Sequence, residues 1–185
     1  MRALRFVAGA LAGFLIWWCA TPIYNDALAS AAEKILSVDK RLCGPHAEDV
    51  DRGIFVHPRL CVAPVATIPA DQLTYNIILL AALFAMRSRS IGGFVLSLAV
   101  IAITHVLSLA VSIESTYAAR SGAWSEQHYS WIEQEVWVSA EFLWRLVGMF
   151  AIVFACWWLT QSATDRPPRE SGERRRGRAA ARGRR

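Results

Sequence analysis

The chain predicts an all-α, polytopic membrane protein with four transmembrane helices and a disordered Arg-rich cytoplasmic tail. Three observations carry this prediction. Of 185 residues 55% are hydrophobic, and the mean hydropathy of +0.31 is high for a soluble domain. Four apolar runs approach the roughly 20 helical residues that a bilayer core requires. Charged residues make up 19% and fall in blocks between those runs rather than being interleaved along them. A large soluble catalytic domain has no room in such a chain. The formal charge of +5 comes mostly from residues 166–185, where nine Arg face two Glu, so a folded nucleic-acid-binding domain is not expected either.

The expected spans are Leu4–Tyr24, Ile68–Met86, Ile91–Ile113 and Val136–Thr160, forming one transmembrane domain over residues 1–165. The first follows Arg2 and Arg5 in the manner of a signal peptide. Its small-residue site, Ala27-Leu28-Ala29, lies well past the apolar run and after Pro22, a poor cleavage region, so the segment is expected to be retained. Trp17-Trp18 before Cys19 does not suit a lipoprotein signal. The second span is the shortest, with a charge-free core only from Leu73 to Met86. If all four cross, 13 of the 20 basic residues lie inside with both termini, in keeping with the positive-inside rule, whereas a re-entrant second segment would put the tail outside. Arg87-Ser88-Arg89-Ser90 then reads as a tight cytoplasmic turn.

Two outer loops are expected, residues 25–67 and 114–135. Leu28, Ala31, Ala32, Ile35 and Leu36 recur at three-and-four spacing, which predicts a helix capped by Asn25 or Asp26 and lying in the membrane surface. Beyond it, Cys43-x2-His46-x10-His57-x3-Cys61 admits two readings. In an oxidising outer compartment Cys43 and Cys61 form a disulfide, which adds about 3 kcal/mol to a loop without its own core. The alternative is a zinc site of Cys43, His46, His57 and Cys61, which a cytoplasmic loop would favour. Gly53-Ile54-Phe55-Val56 suits a short strand, with the surrounding Pro45, Pro58, Pro64 and Pro69 making the rest irregular. In the second loop Glu114, Glu126, Glu133, Glu135 and His128 read as a solvated acidic helix face rather than a metal site. Trp124, Trp131, Trp137 and Trp144 fall along one side of a helix expected to begin near Ser125 and run unbroken into the fourth span. That stripe is either an interfacial belt or a ridge for a partner.

Polar residues within spans are the remaining candidates. Helix three carries the seam Ser97, Thr104, Ser108 and Ser112 with His105 beside it, and helix four carries the pair Glu141 and Arg145. At about 1.5 Å rise per residue, Cys19, His105 and Arg145 lie about 7, 4 and 6 Å above the midplane. They form one candidate catalytic set, a thiol, a base and an oxyanion holder suited to acyl transfer. The competing reading is a buried apolar Cys, a hydrogen-bonded His and an Arg paired with Glu141. The tail after Pro167-Pro168 has no apolar anchors and is expected to be disordered, retaining topology through anionic lipid.

Phe14-Leu15-Ile16-Trp17-Trp18, followed by Pro22-Ile23-Tyr24-Asn25 and the amphipathic Leu28–Leu36 run, resembles the small membrane proteins associated with exosortase H, over roughly 30 residues plus overall length and helix count. That resemblance implies an accessory role in the bacterial inner membrane beside a sorting enzyme, and it carries over no catalytic residues. Exosortases use Cys, Arg and His in that order, whereas this chain has Cys19, His105 and Arg145. The expectation is therefore a non-enzymatic accessory or scaffold protein with the bilayer and a membrane protein as partners and no cofactor. An intramembrane cysteine acyl-transfer enzyme is the alternative, and the oligomeric state stays open.

Overall fold

The computed structural model describes residues 2–86 and 91–164. The Arg87–Ser90 turn and the tail of 166–185 lie outside the described residues. Three helices are long and apolar enough to cross a bilayer: residues 3–36, 91–119 and 131–161.

Helix α1 (Arg2–Leu36) is continuous through Pro22. Its 35 residues extend about 52 Å, well past a hydrocarbon core of about 30 Å. The predicted surface helix of 28–36 is thus the C-terminal part of α1, continuous with the first apolar run rather than a separate helix. Leu28, Ala29, Ala32 and Leu36 lie on one face of it, and that face is buried. No cap forms at Asn25 or Asp26 because the helix never breaks there; Asn25 is instead buried, with its amide donating to Asp49 Oδ1 at 3.4 Å.

What covers that face is a sheet, which corrects the all-α expectation. Strands β1 (Pro45–Val50), β2 (Gly53–Pro58) and β3 (Ala66–Pro69) form an antiparallel meander in the order β1-β2-β3. Pro45, Pro58 and Pro69 sit at strand ends, where the missing N–H costs least. Ala47, Ile54, Val56, Ala66 and Ile68 alternate onto the inner face. They join Leu28, Ala32 and Leu36 of α1 in one core, together with Leu109, Ile113 and Tyr117 of α4 (Ile91–Ala119). The β1–β2 turn places Asp51 and Arg52 at φ 50° and 66°. Two successive left-handed residues match the right-handed twist of a two-residue hairpin. The arginine is held there by stacking over Trp18, 3.4 Å from its ring centroid, and by Asp71 at 3.6 Å.

The second span is also corrected. Ile68 and Pro69 belong to β3, and only Asp71–Met86 is helical, too short to rank with the three long helices. It comprises a four-residue turn, α2 (Asp71–Thr74), and α3 (Asn76–Met86). Helix α3 lies antiparallel along α1 at very close range. A Cβ on Gly13 would lie 2.7 Å from Ala81 Cβ, and one on Gly9 would overlap Ala85 Cβ and lie 3.0 Å from the Ala81 carbonyl oxygen. Gly9-x3-Gly13 facing Ala81-x3-Ala85 is the small-residue packing that membrane helices use to bring backbones together.

The fourth apolar segment does not run back to Ser125. Helix α5 (Ala123–His128) ends at Tyr129, and α6 (Trp131–Leu143) starts afresh with a capping box. The Glu133 amide donates to Ser130 Oγ at 3.3 Å and the Ser130 amide to Glu133 Oε2 at 2.8 Å. After α6 a π turn (Trp144–Gly148) leads into α7 (Met149–Thr164). The break splits the Trp stripe. Trp124 and Trp137 pack against the sheet core, whereas Trp131 is exposed. At the other end of the molecule Leu80, Leu83, Phe84, Ile101, Val153 and Cys156 join α3, α4 and α7 in a second core. Only 11% of the most apolar stretch of α1 and 17% of that of α6–α7 are buried in the protein, which leaves apolar surface suited to lipid. The fold defines a helical membrane protein carrying a small disulfide-closed α/β layer.

Candidate functional site

The polar segment Asp71-Gln72-Leu73-Thr74-Tyr75-Asn76 interrupts two apolar stretches and becomes the polar centre of the fold. Its side chains reach every long helix and the sheet. Trp17 Nε1 donates to Thr74 Oγ1 at 3.0 Å. Asp71 meets Arg52 of the β1–β2 turn. Arg145 Nη1 donates to Gln72 Oε1 at 3.3 Å. Asn76 is fully buried beside His105, with Oδ1 2.6 Å from Nε2, and the other ring nitrogen lies 2.7 Å from the Tyr24 hydroxyl. With Asn76 oriented so, Nε2 carries the proton and Nδ1 accepts from Tyr24, which leaves the ring neutral and satisfied on both sides. The Tyr24–His105–Asn76 chain thereby pins α1, α4 and α3 together.

The structure does not unite the candidate catalytic set. Cys19 is a free, exposed cysteine on α1, His105 is enclosed by Tyr24 and Asn76, and Arg145 is engaged by Glu141 and Gln72. The Glu141–Arg145 pair forms as its i,i+4 spacing implies, at 2.8 Å. Arg120 joins it, 2.9 Å from the second carboxylate oxygen. Glu141 is 3% exposed, and two guanidinium groups offset the cost of burying its charge. The seam on α4 faces inward, with Ser97, Ser108 and Ser112 buried.

In the outer layer Cys43 and Cys61 are bonded, with Cα atoms 5.7 Å apart. His46 and His57 are cross-strand partners on β1 and β2, but each has its own carboxylate. His46 Nδ1 lies 3.0 Å from Glu33 and His57 Nε2 lies 3.1 Å from Glu48. The disulfide occupies both sulfurs of the four-ligand zinc reading, and no group of three or more His, Cys, Asp or Glu converges among the described residues. A second polar knot ties the connection after α1 to the start of α6. Arg41 stacks 4.2 Å from the Tyr129 ring centroid and bonds Asp39 and Glu133. Burial raises the Asp39 pKa, but hydrogen bonds and charge from Arg41 outweigh it and hold the carboxyl below its ordinary value. Tyr129 donates to Glu114 at 2.8 Å; burial and that carboxylate push its hydroxyl pKa up. These groups face one another rather than a cleft.

Two signals for this site went unread in the sequence. Gly9-x3-Gly13 marks the helix that α3 docks on, and Ser130-x2-Glu133 marks the start of α6. No family model, no curated protein and no solved structure matches the chain.

Proposed function

We propose that this is a non-enzymatic accessory or scaffold protein of a bacterial inner membrane, multi-pass with both termini cytoplasmic, and that it accompanies an exosortase-type protein-sorting system. The observation that carries the reading is the surface of the disulfide-closed loop. Leu60, Val62 and Val65 flank Cys61 outside the long apolar helices, and Leu60 and Val62 are 82% and 100% exposed. Exposed apolar side chains on both sides of a disulfide suit contact with another protein. The accessory role beside a sorting enzyme rests on the resemblance of the N-terminal third, and the orientation on the distribution of basic residues and on the short α2–α3 segment crossing as a span.

Leu60→Ser with Val62→Ser should weaken capture of a cross-linked partner from mild detergent about thirtyfold, at about 1 kcal/mol for each of the two lost anchors, with protein abundance unchanged. Recovery of no stable partner by the unaltered chain would sink the scaffold reading. For orientation, an impermeant maleimide should label Cys43 and Cys61 in intact cells only after reduction; labelling only after permeabilisation would place that loop inside. The acyl-transfer alternative, built on Cys19, His105 and Arg145, requires Cys19→Ala to abolish the cellular phenotype. The scaffold reading expects no change.

A further inference from the structure

Arg120, Glu141 and Arg145 place two guanidinium charges around one carboxylate, so the cluster keeps a net positive charge. Its setting is apolar. Phe142, Leu143, Leu146 and Val147 flank Arg145 in the chain and are 56–65% exposed, apolar surface suited to lipid. The Arg145 side chain is 30% exposed. Its Nη1 donates to Gln72, its Nη2 lies 2.8 Å from the Glu141 carboxylate, and its Nε has no hydrogen-bond partner among the described residues. Arg145, Gln72, Tyr75 and Met149 line an open niche. Gln72 accepts through Oε1, which leaves its amide nitrogen available as a donor. Tyr75 and Phe150 meet edge to face at 6.4 Å, each 38% exposed, and supply an apolar wall beside it. The arginine sits in the π turn, a helix defect common at functional positions. Gly148 makes this turn possible, because the Trp144 ring lies where a Cβ at 148 would be, 2.9 Å from Cδ2.

A cluster with one guanidinium charge in excess at the margin of an apolar layer, with a planar donor fork and an amide beside it, calls for an oxyanion that arrives with apolar chains attached. We propose that the Arg145–Gln72–Tyr75 niche binds the phosphodiester headgroup of an anionic phospholipid, with the half-exposed Tyr75–Phe150 pair against its acyl chains. The site is independent of the scaffold reading.

Native mass spectrometry of the full chain released from detergent, with phosphatidylglycerol, phosphatidylcholine or inorganic phosphate added, tests it. Phosphatidylglycerol should be retained in preference to phosphatidylcholine. Arg145→Gln should weaken that retention about fivefold, the effect of one basic contact at a membrane surface. Arg145→Lys should keep most of it, and Arg59→Gln, on the outer layer, should change nothing. Because Arg145→Gln also unbalances Glu141, Gln72→Leu is the second variant and should weaken retention in the same direction with Glu141 and both arginines intact. Equal retention of the two lipids, equal loss in Arg59→Gln, or full retention in both Arg145→Gln and Gln72→Leu would overturn the proposal. Binding of inorganic phosphate without lipid retention would overturn it too, by assigning the niche to a soluble anion.

Discussion

Gly13→Leu is expected to separate α3 from α1 and to be the most damaging single substitution in the apolar layer. An ideal Cβ at position 13 already falls 2.7 Å from Ala81 Cβ and 3.5 Å from Ile78 Cα. Ala81 Cβ is fixed to its backbone, so relief requires α3 itself to move rather than a rotamer to change. Overpacking of this kind costs about 1–3 kcal/mol, and more when the backbone must shift. A Gly-to-Ala change in a helix interior would by itself favour the helix by about 1 kcal/mol. Gly13→Ala should therefore be near neutral to mildly destabilising, and Gly13→Leu should cost about 3 kcal/mol. Unfolding of the purified protein by a denaturing detergent gives the measurement, and Ala81→Gly should rescue Gly13→Ala in a double-mutant cycle. An unchanged midpoint in Gly13→Leu would show that these helices do not meet at Gly13. The same displacement should loosen the Trp17–Thr74 and Asn76–His105 bonds, since both depend on the register of α2–α3 against its neighbours.

Cys43→Ser with Cys61→Ser is expected to cost about 3 kcal/mol in the outer layer, the loop-closure value for a separation of this size. The residues lie 18 apart in sequence, and the bond joins the turn before β1 to the loop after β2. Backbone bonds between Arg59 and Gly44 and between Leu60 and Cys43 reinforce the same corner, at 3.2 and 3.0 Å. The inner face of the sheet should hold, because Ile54, Val56, Ala66 and Ile68 are at most 1% exposed against α1 and α4. Loss should thus begin at the loop. Limited proteolysis should cut near residues 59–65 faster in the double variant, with α1 and α4 as resistant as before. Equal cleavage with and without the bond would mean that the hairpin bonds alone order this corner.

Three of the four expected spans correspond to long apolar helices because length and apolarity are properties of a local window, and a bilayer imposes them without reference to the rest of the fold. The disulfide was legible for a similar reason: two cysteines in one loop, in a compartment inferred from charge bias, have few other uses. The sheet was less so. Ile54 and Val56 alternate, and so do Ala66 and Ile68, but the Asp51-Arg52 turn lacks the Asn-Gly or Asp-Gly chemistry that announces a hairpin, and prolines bound every strand. What makes that turn tenable is distant: the Trp18 ring and the Asp71 carboxylate hold Arg52.

The candidate site divides along the same line. Glu141 with Arg145 followed from i,i+4 spacing, whereas Arg120 as the third member depended on how α4 crosses α6. Depth along separate helices placed Cys19, His105 and Arg145 at one level, but depth says nothing of rotation about each axis. The rotation of α1 leaves Cys19 exposed and brings Tyr24 to His105. The sequence by itself determined which segments are apolar, how long they are and where charge collects, since these follow from local composition and the solvent around it. Tertiary structure alone decided the covering of the C-terminal face of α1 by a sheet, the close docking of the short α3 on Gly9 and Gly13, and the partners of His105 and Glu141. Those outcomes depend on which surfaces meet, and a buried polar side chain takes whichever donor or acceptor the packing brings to it.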